Sequence, residues 1–285
     1  MNLKISNLKE LKLNYKKNGY IKIKLFKKSK IVKFKSNLAK VLLLQIKKVL
    51  PKKYLYFKKK KIDFILNEGM ISLENADHQN LVTIYNHVNK TNFFLDISND
   101  KNLIKTISYL LSDNLYHPIH FNSDALRIDI SKDKKFLYGW HRDSKFNLFN
   151  SKFVQLWMPI VNNINNQNKI GGLEIIENSH KLDIDTHDNE SVKNRKKNSL
   201  IRTPINTKLI FNKKKKLIQK TLYASLGEVI LFSNNLMHRS CVNLSKNKIR
   251  YVLNTFYHDM INEEAIFENI DQRTSNWKKF FKKKN

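Results

Sequence analysis

The chain has 285 residues, 41% of them apolar and 27% charged, which supports a sizeable core and excludes wholesale disorder. Its formal net charge is +30, yet 47 of the 54 basic residues are Lys and only seven are Arg. Arg is the residue that grips phosphates and base edges bidentately. A Lys skew running evenly along the chain with abundant Asn and Ile therefore reads as a solvated surface, with no specific nucleic-acid partner expected. One cysteine, Cys241, excludes an internal disulfide framework and fits a reducing, cytoplasmic setting. The longest apolar run, Val41–Ile46, is far short of a membrane span, and the basic start lacks the apolar core of a secretory signal.

In chain order, Asn18-Gly19-Tyr20 reads as a turn and Ile21–Leu25, with its alternating apolar residues, as a strand. Ser36–Leu50 is helical, with Leu38, Val41, Leu42 and Ile46 on one face and Pro51 as a stop. Asn99–Ser112 is a second amphipathic helix, with Leu103, Ile107, Leu110 and Leu111 in register. From about residue 115 short strands follow, at Ala125–Ile130, Phe153–Ile160, Gly172–Glu177, Gly227–Phe232 and Ile249–Tyr257. Asn/Gly/Ser-rich connections separate them, which predicts a mainly β fold with flanking helices and a jelly-roll or barrel core. The chain reads as one domain, 1–285. A mixed helical part runs to about 114 and a β core over about 115–260. The polar stretch Leu182–Lys220 is an insertion or lid, and a basic tail follows from 261. Only six glycines occur, and Gly19, Gly139, Gly171, Gly172 and Gly227 stand beside these segments. In a chain that avoids glycine, they mark positions needing positive φ or close approach.

His141-Arg142-Asp143 places an imidazole and a carboxylate two residues apart, on one side of an extended strand. His238 follows 97 residues later, just past an apolar strand. Two histidines and a carboxylate on one face of an Fe(II) ion leave three positions open, two for a chelating keto acid and one for dioxygen. No thiolate cluster favours structural zinc. With nine histidines and 24 acids in the chain, the same pattern also fits ordinary hydrogen-bonded histidines. His78, His87, His117, His120, His180, His187 and His258 show no such arrangement and read as structural. A protein-kinase catalytic loop also begins His-Arg-Asp, but its Asn should stand where this chain has Leu148, and no glycine-rich loop or Asp-Phe-Gly accompanies it.

Twelve residues past His238 stands Arg250, and two past it Ser240. A dicarboxylate that chelates iron at one end needs its far carboxylate neutralised one small-molecule length away. A bidentate Arg helped by a hydroxyl does this, and an antiparallel strand after His238 can return Arg250 to the site. At this point the chain resembles the phytanoyl-CoA dioxygenase family. Asn18-Gly19-Tyr20 and the strand after it are similar to the family's opening, and Trp140–Ser144 to its proximal metal motif. Val154–Ile160 resembles its next strand. Gly171–Lys181 resembles its signature, with Asn178 where Gly is usual, and Leu226–His238 with Asn243, Ser245 and Arg250 its distal segment. The family's Arg usually comes one residue earlier, a difference that one extra residue in Lys246–Lys248 accounts for.

The resemblance spans about residues 15–257 and implies a double-stranded β-helix (jelly-roll, cupin-like) core. It implies an Fe(II)- and 2-oxoglutarate-dependent dioxygenase that consumes O2, with iron on His141, Asp143 and His238. The distal carboxylate of 2-oxoglutarate then falls to Arg250 and Ser240, and the pocket wall to Gln155 and Trp157. Arg239 points elsewhere, and His180 stabilises a turn. Retention of Asp143 favours hydroxylation over halogenation, with desaturation, cyclisation and epimerisation also open. The substrate is a small molecule, anionic or carrier-linked given the charge; neither its identity nor the oligomeric state is written in the sequence. A rival reading, motivated by Lys58–Lys61 and Lys213–Lys216, is a basic jelly-roll protein that binds nucleic acid or an anionic surface without catalysis. It predicts steep salt dependence and no need for iron.

Overall fold

Apolar spacing makes most of residues 5–112 a helical layer. In the computed structural model, which describes residues 5–131, 139–143, 152–160, 167–182 and 218–261 and only the backbone at 120–125, α1 (Ile5–Asn18) leads into β1 (Tyr20–Lys24) and α2 (Lys28–Val49). The inner face of α2 buries Ile31, Phe34, Leu38, Leu42 and Ile46, at about 2 kcal/mol for each apolar side chain removed from water. Pro51 ends it and opens α3 (Pro51–Lys58), as its fixed φ and missing N–H favour at a first helical turn. Then come α4 (Ile62–Phe64), a π-helical segment at Ile65–Gly69, α5 (Met70–Ala76), α6 (Gln79–Val88), α7 (Asn92–Ser98) and α8 (Lys101–Ser112). Asp100 caps α8 by accepting from the N–H groups of Asn102 and Leu103. Asp113 closes it in the left-handed region at φ 63°, where it pairs with Lys12 of α1 at 2.6 Å.

The remaining strands are β2 (Ile119–Asp129), β3 (Phe153–Pro159), β4 (Leu173–Ile176), β5 (Gln219–Leu222), β6 (Glu228–Ser233), β7 (His238–Ser240) and β8 (Arg250–Asp259), with a short α9 (Gln167–Ile170) before β4. They form two antiparallel sheets, one in the order β1-β6-β3-β8-β2 and one in the order β5-β4-β7. Strand alternation divides the larger sheet. Ile21, Leu156, Met158, Val229, Leu231, Tyr251 and Leu253 join the core shared with the helices. Trp157, Ile230, Phe232 and Val252 face the other way and pack on Leu173, Ile175 and Leu222 of the smaller sheet. Polar Gln155, Asn254, Arg250 and Asp129 share that second face, by register with its apolar members. A buried sheet face carrying this many polar groups is the wall of a site rather than plain core.

The helical layer anchors β8 on both sides of Arg250. Asn67 Oδ1 accepts from the Ile249 N–H at 2.9 Å and the Tyr251 hydroxyl donates to Leu66 O at 2.6 Å. Both partners lie in the π-helical segment, where irregular pitch changes which helix groups face the sheet. Farther along, the Tyr257 hydroxyl donates to Ser98 O at 2.8 Å.

The expected helices and strands are present, but the mainly β class is corrected: the molecule is mixed α/β. Short helices between residues 51 and 98 account for the difference, because their apolar stripes are only two or three residues long. Strands β5 and β7 were not anticipated, being four and three residues long, too short to show a period. Of the stretch expected as an insertion, 183–217 lies outside the described residues, as do Ser144, Lys213–Lys216 and the tail beyond 261.

Candidate active site

The metal-ligand set is assembled by the backbone. His141 and His238 form an isolated antiparallel bridge, each donating its N–H to the other's carbonyl, at 3.1 and 3.0 Å. Directly paired residues carry their side chains on the same side of the ladder, and the two imidazole centroids are 4.3 Å apart. His238 also lies opposite Ile175 of β4, which ties it to the smaller sheet. The expected strand around His141 is this single bridge, and Asp143 stands in the turn after it. Its carboxylate still reaches both rings, Oδ1 lying 3.9 Å from His141 Nε2 and Oδ2 3.3 Å from His238 Nε2. All three residues are buried, and their ligand atoms lie within 4.8 Å of one another.

Both tautomers follow from main-chain acceptors. His141 Nδ1 sits 2.7 Å from Gly139 O and His238 Nδ1 3.0 Å from Leu236 O. A carbonyl oxygen only accepts, so each Nδ1 carries the hydrogen and each Nε2 presents its lone pair to the centre. Two neutral imidazoles and one carboxylate are the donor set of a facial Fe(II) site, and the residues fit that ion.

Arg250 is 1% exposed. Its Nε donates to Asp129 Oδ2 at 2.9 Å and its Nη1 to Ile170 O at 3.2 Å, while Nη2 is buried with no hydrogen-bond partner among the described residues. Burial raises the Asp129 carboxyl, but the Arg127 and Arg250 guanidiniums outweigh it and hold the group below the usual carboxylate range. Gly171, at φ +82°, packs against this guanidinium; a Cβ there would lie 2.8 Å from Arg250 Nη1 and 2.7 Å from Cys241 Cβ. The loop entering β8 is held by Asn243, which accepts from the Ser245 N–H and hydroxyl and donates to the carbonyls of Asp129 and Lys248.

Gln155 and Trp157 share the inner face of β3, as expected. Gln155 Nε2 donates to Asn254 Oδ1 at 3.0 Å, its Oε1 is buried without a partner among the described residues, and Trp157 packs between the sheets. Ser240 is half-buried on β7, two residues past His238 and opposite Leu173, so both side chains leave the same face of that strand. Arg239 points away, pairing with Glu174 and lying over the Trp140 ring. His180 is hydrogen-bonded through Nε2 to Lys16 O at 3.1 Å and takes no part in the ligand set.

Ser179 is a supporting residue whose role the sequence does not show. Its hydroxyl donates to Ile176 O at 2.7 Å and accepts from the N–H of Met237, next to His238, at 2.9 Å. Its carbonyl accepts from Arg142, the residue between His141 and Asp143. One buried serine thus joins both metal-binding segments. The left-handed Asn178 before it, at φ 57°, is the geometry that Asn tolerates in place of Gly.

Residues 15–252 match the sequence profile of the phytanoyl-CoA dioxygenase family. The chain belongs to this family. It is a family of iron(II)- and 2-oxoglutarate-dependent oxygenases, and His141, Asp143 and His238 are the facial triad in this member. No curated protein matches the chain by sequence. Among solved structures, EctD from S. alaskensis with 2-oxoglutarate and 5-hydroxyectoine shares 15% identity over 89% of this chain and 76% of its own, with a TM-score of 0.59. The epimerase SnoN in complex with Fe3+, alpha ketoglutarate and nogalamycin RO shares 14% identity over 90% and 85%, with a TM-score of 0.56. AviO1 from Streptomyces viridochromogenes Tue57 shares 13% identity over 93% and 99%, with a TM-score of 0.52. At these identities the likeness is one of fold. No helix among the described residues is long and apolar enough to cross a membrane.

Proposed function

We propose that this protein is an Fe(II)/2-oxoglutarate-dependent hydroxylase acting on an aliphatic C–H of a small-molecule or carrier-linked metabolite, on a double-stranded β-helix formed by its two sheets. The observation that carries this reading is the pairing of the buried triad with a buried arginine whose Nη2 has no partner among the described residues. An unsatisfied guanidinium hydrogen is costly in a dry interior, and a ligand carboxylate would satisfy it.

In this reading His141, Asp143 and His238 hold iron and leave its other positions to 2-oxoglutarate and O2. Arg250 receives the distal carboxylate of 2-oxoglutarate, Ser240 adds a hydroxyl hydrogen bond, and Trp157 and Gln155 wall the pocket. Asp129 holds Arg250 by one edge and leaves the other for the ligand. When bound, these groups supply the oxidation, with 2-oxoglutarate ending as succinate and carbon dioxide and one oxygen atom delivered to the substrate. Along β8, away from Arg250, the inner face turns aromatic. The Phe153 and Phe256 rings meet edge-on at 5.4 Å, and Phe232 lies 4.8 Å from the His238 ring. Such a wall suits an apolar carbon and excludes water from it.

The test is anaerobic titration of purified protein with Fe(II) and then 2-oxoglutarate, followed by the metal-to-ligand charge-transfer absorption, with His141→Ala as control. The wild type should develop the band and the variant should not. Absence of the band in the wild type counts against the whole assignment.

A further inference from the structure

The positive charge is not evenly spread, contrary to the first reading of the sequence. Residues 11–62 carry 19 Lys and no Asp or Glu, although the chain has 24 acids. In the structure this run is the second half of α1, then β1, α2 and α3. The lysines of the run that find acids do so outside it or at its border, as Lys12 with Asp113, Lys30 with Asp100 and Lys35 with Asp63. Lys40 and Lys48, which share the outward face of α2 with Leu44 by helical spacing, and Lys52 at the start of α3 are exposed, and no ion pair engages them among the described residues.

The same surface exposes apolar groups. Leu44 is 69% exposed, Leu55 66% and Tyr56 52%, between α2 and α3 faces that otherwise bury their leucines and phenylalanines. Lysines surround the aromatic rings: Lys47 and Lys58 lie 5.7 and 5.9 Å from the Tyr54 ring centre and Lys60 4.4 Å from that of Tyr56.

We propose that the α2–α3 corner is a docking surface for anionic lipid membranes. A lysine field in which three acids answer three of the lysines keeps a large positive excess and is attracted to a negative leaflet. Exposed Leu and Tyr side chains among the lysines can enter the headgroup region while the ammonium groups stay with the phosphates. Nucleic acid is the weaker fit, because the run contains no Arg for bidentate phosphate or base contacts, and protruding leucines offer nothing to a phosphate backbone. Docking there would hold a lipid-borne or carrier-linked substrate near the enzyme, but the inference stands independently of the catalytic reading.

The experiment is co-sedimentation of the full chain with vesicles of phosphatidylcholine alone and of phosphatidylcholine with phosphatidylserine. Binding is expected only to the second. The triple variant Lys40→Gln, Lys48→Gln, Lys52→Gln should weaken it by about fivefold per lysine. A control triple with the same charge loss elsewhere (Lys90→Gln, Lys101→Gln, Lys105→Gln) should weaken it much less. Leu44→Ser with Leu55→Ser, which keeps every charge, should also weaken it, by about tenfold per leucine, with an unchanged thermal melt because both side chains are exposed. The proposal is overturned if phosphatidylserine vesicles do not bind or if both lysine triples lose affinity equally. It is also overturned if an RNA homopolymer binds more tightly than the vesicles and ignores the leucine changes.

Discussion

Arg250 of β8 and Asp129 of β2 stand directly opposite each other in the ladder, and the guanidinium Nε donates to the carboxylate Oδ2 at 2.9 Å. Both side chains are buried, and Arg127 Nη2 adds a second contact to the same carboxylate at 3.3 Å. The carboxylate therefore fixes the rotamer of the residue proposed to receive the co-substrate. Removing one member of such a pair leaves the other charge uncompensated.

Asp129→Asn should lower stability by about 3 kcal/mol at neutral pH. The Asp129 pKa is held below its ordinary value in the folded state. Its contribution is thus complete above the unfolded carboxyl pKa, near 3.8, and is lost as pH falls through the lower folded value. Thermal melts across the acid range should show a shallower fall for the variant than for the wild type. Parallel acid limbs would refute the role of the pair.

Arg250→Lys keeps a positive charge but loses the fork. Its KM for 2-oxoglutarate should rise by about tenfold or more, while Fe(II) affinity in the absence of 2-oxoglutarate stays as in the wild type. An unchanged KM would remove Arg250 from the co-substrate site.

Ser179→Ala deletes the hydroxyl that accepts from Met237 N–H, beside one metal histidine. Iron affinity should drop by about ten- to a hundredfold, the usual consequence of losing an outer support. Competition with a chelator measures it, and the circular dichroism spectrum reports whether the fold survives. Wild-type iron affinity in a folded variant would reduce Ser179 to a turn residue.

Gly171→Ala places a methyl at positive φ with three atoms inside 3.0 Å, including Val242 O. A loss of about 2 kcal/mol is expected from the backbone strain and the clash together. Since Arg250 Nη1 is one of those three atoms, the KM for 2-oxoglutarate should rise as well. Stability equal to the wild type would mean that the loop relaxes freely.

Asp143→Ala removes the carboxylate of the ligand set. Substrate-dependent turnover should vanish, and 2-oxoglutarate consumption should stop or run uncoupled from product. Full hydroxylation by this variant would end the metal assignment.

The ligand set was legible because metal donors are few and their spacing is short: His141 and Asp143 are two apart, and His238 follows an apolar strand. The central strands were legible because they are long, apolar and bounded by turns. Asp129 was not, because its link to Arg250 spans 121 positions and exists only once β2 and β8 are in register. Ser179 was hidden for a related reason, since its hydroxyl acts on a main-chain N–H 58 residues away. The extent of α2 was underestimated at its start, where Ile31 and Phe34 are buried but lie among lysines that dilute the pattern. In β5 only Leu222 is buried, so nothing in its composition set it apart from a loop.

The two histidines have a consequence for how this enzyme can change. The atoms that choose which ring nitrogen meets the metal are carbonyl oxygens of Gly139 and Leu236, and every amino acid supplies a carbonyl. Substitutions at those positions that keep the local chain path leave the protonation pattern of the ligands intact. Side chains near the centre are then at liberty to drift toward new substrates while the iron chemistry is inherited unchanged.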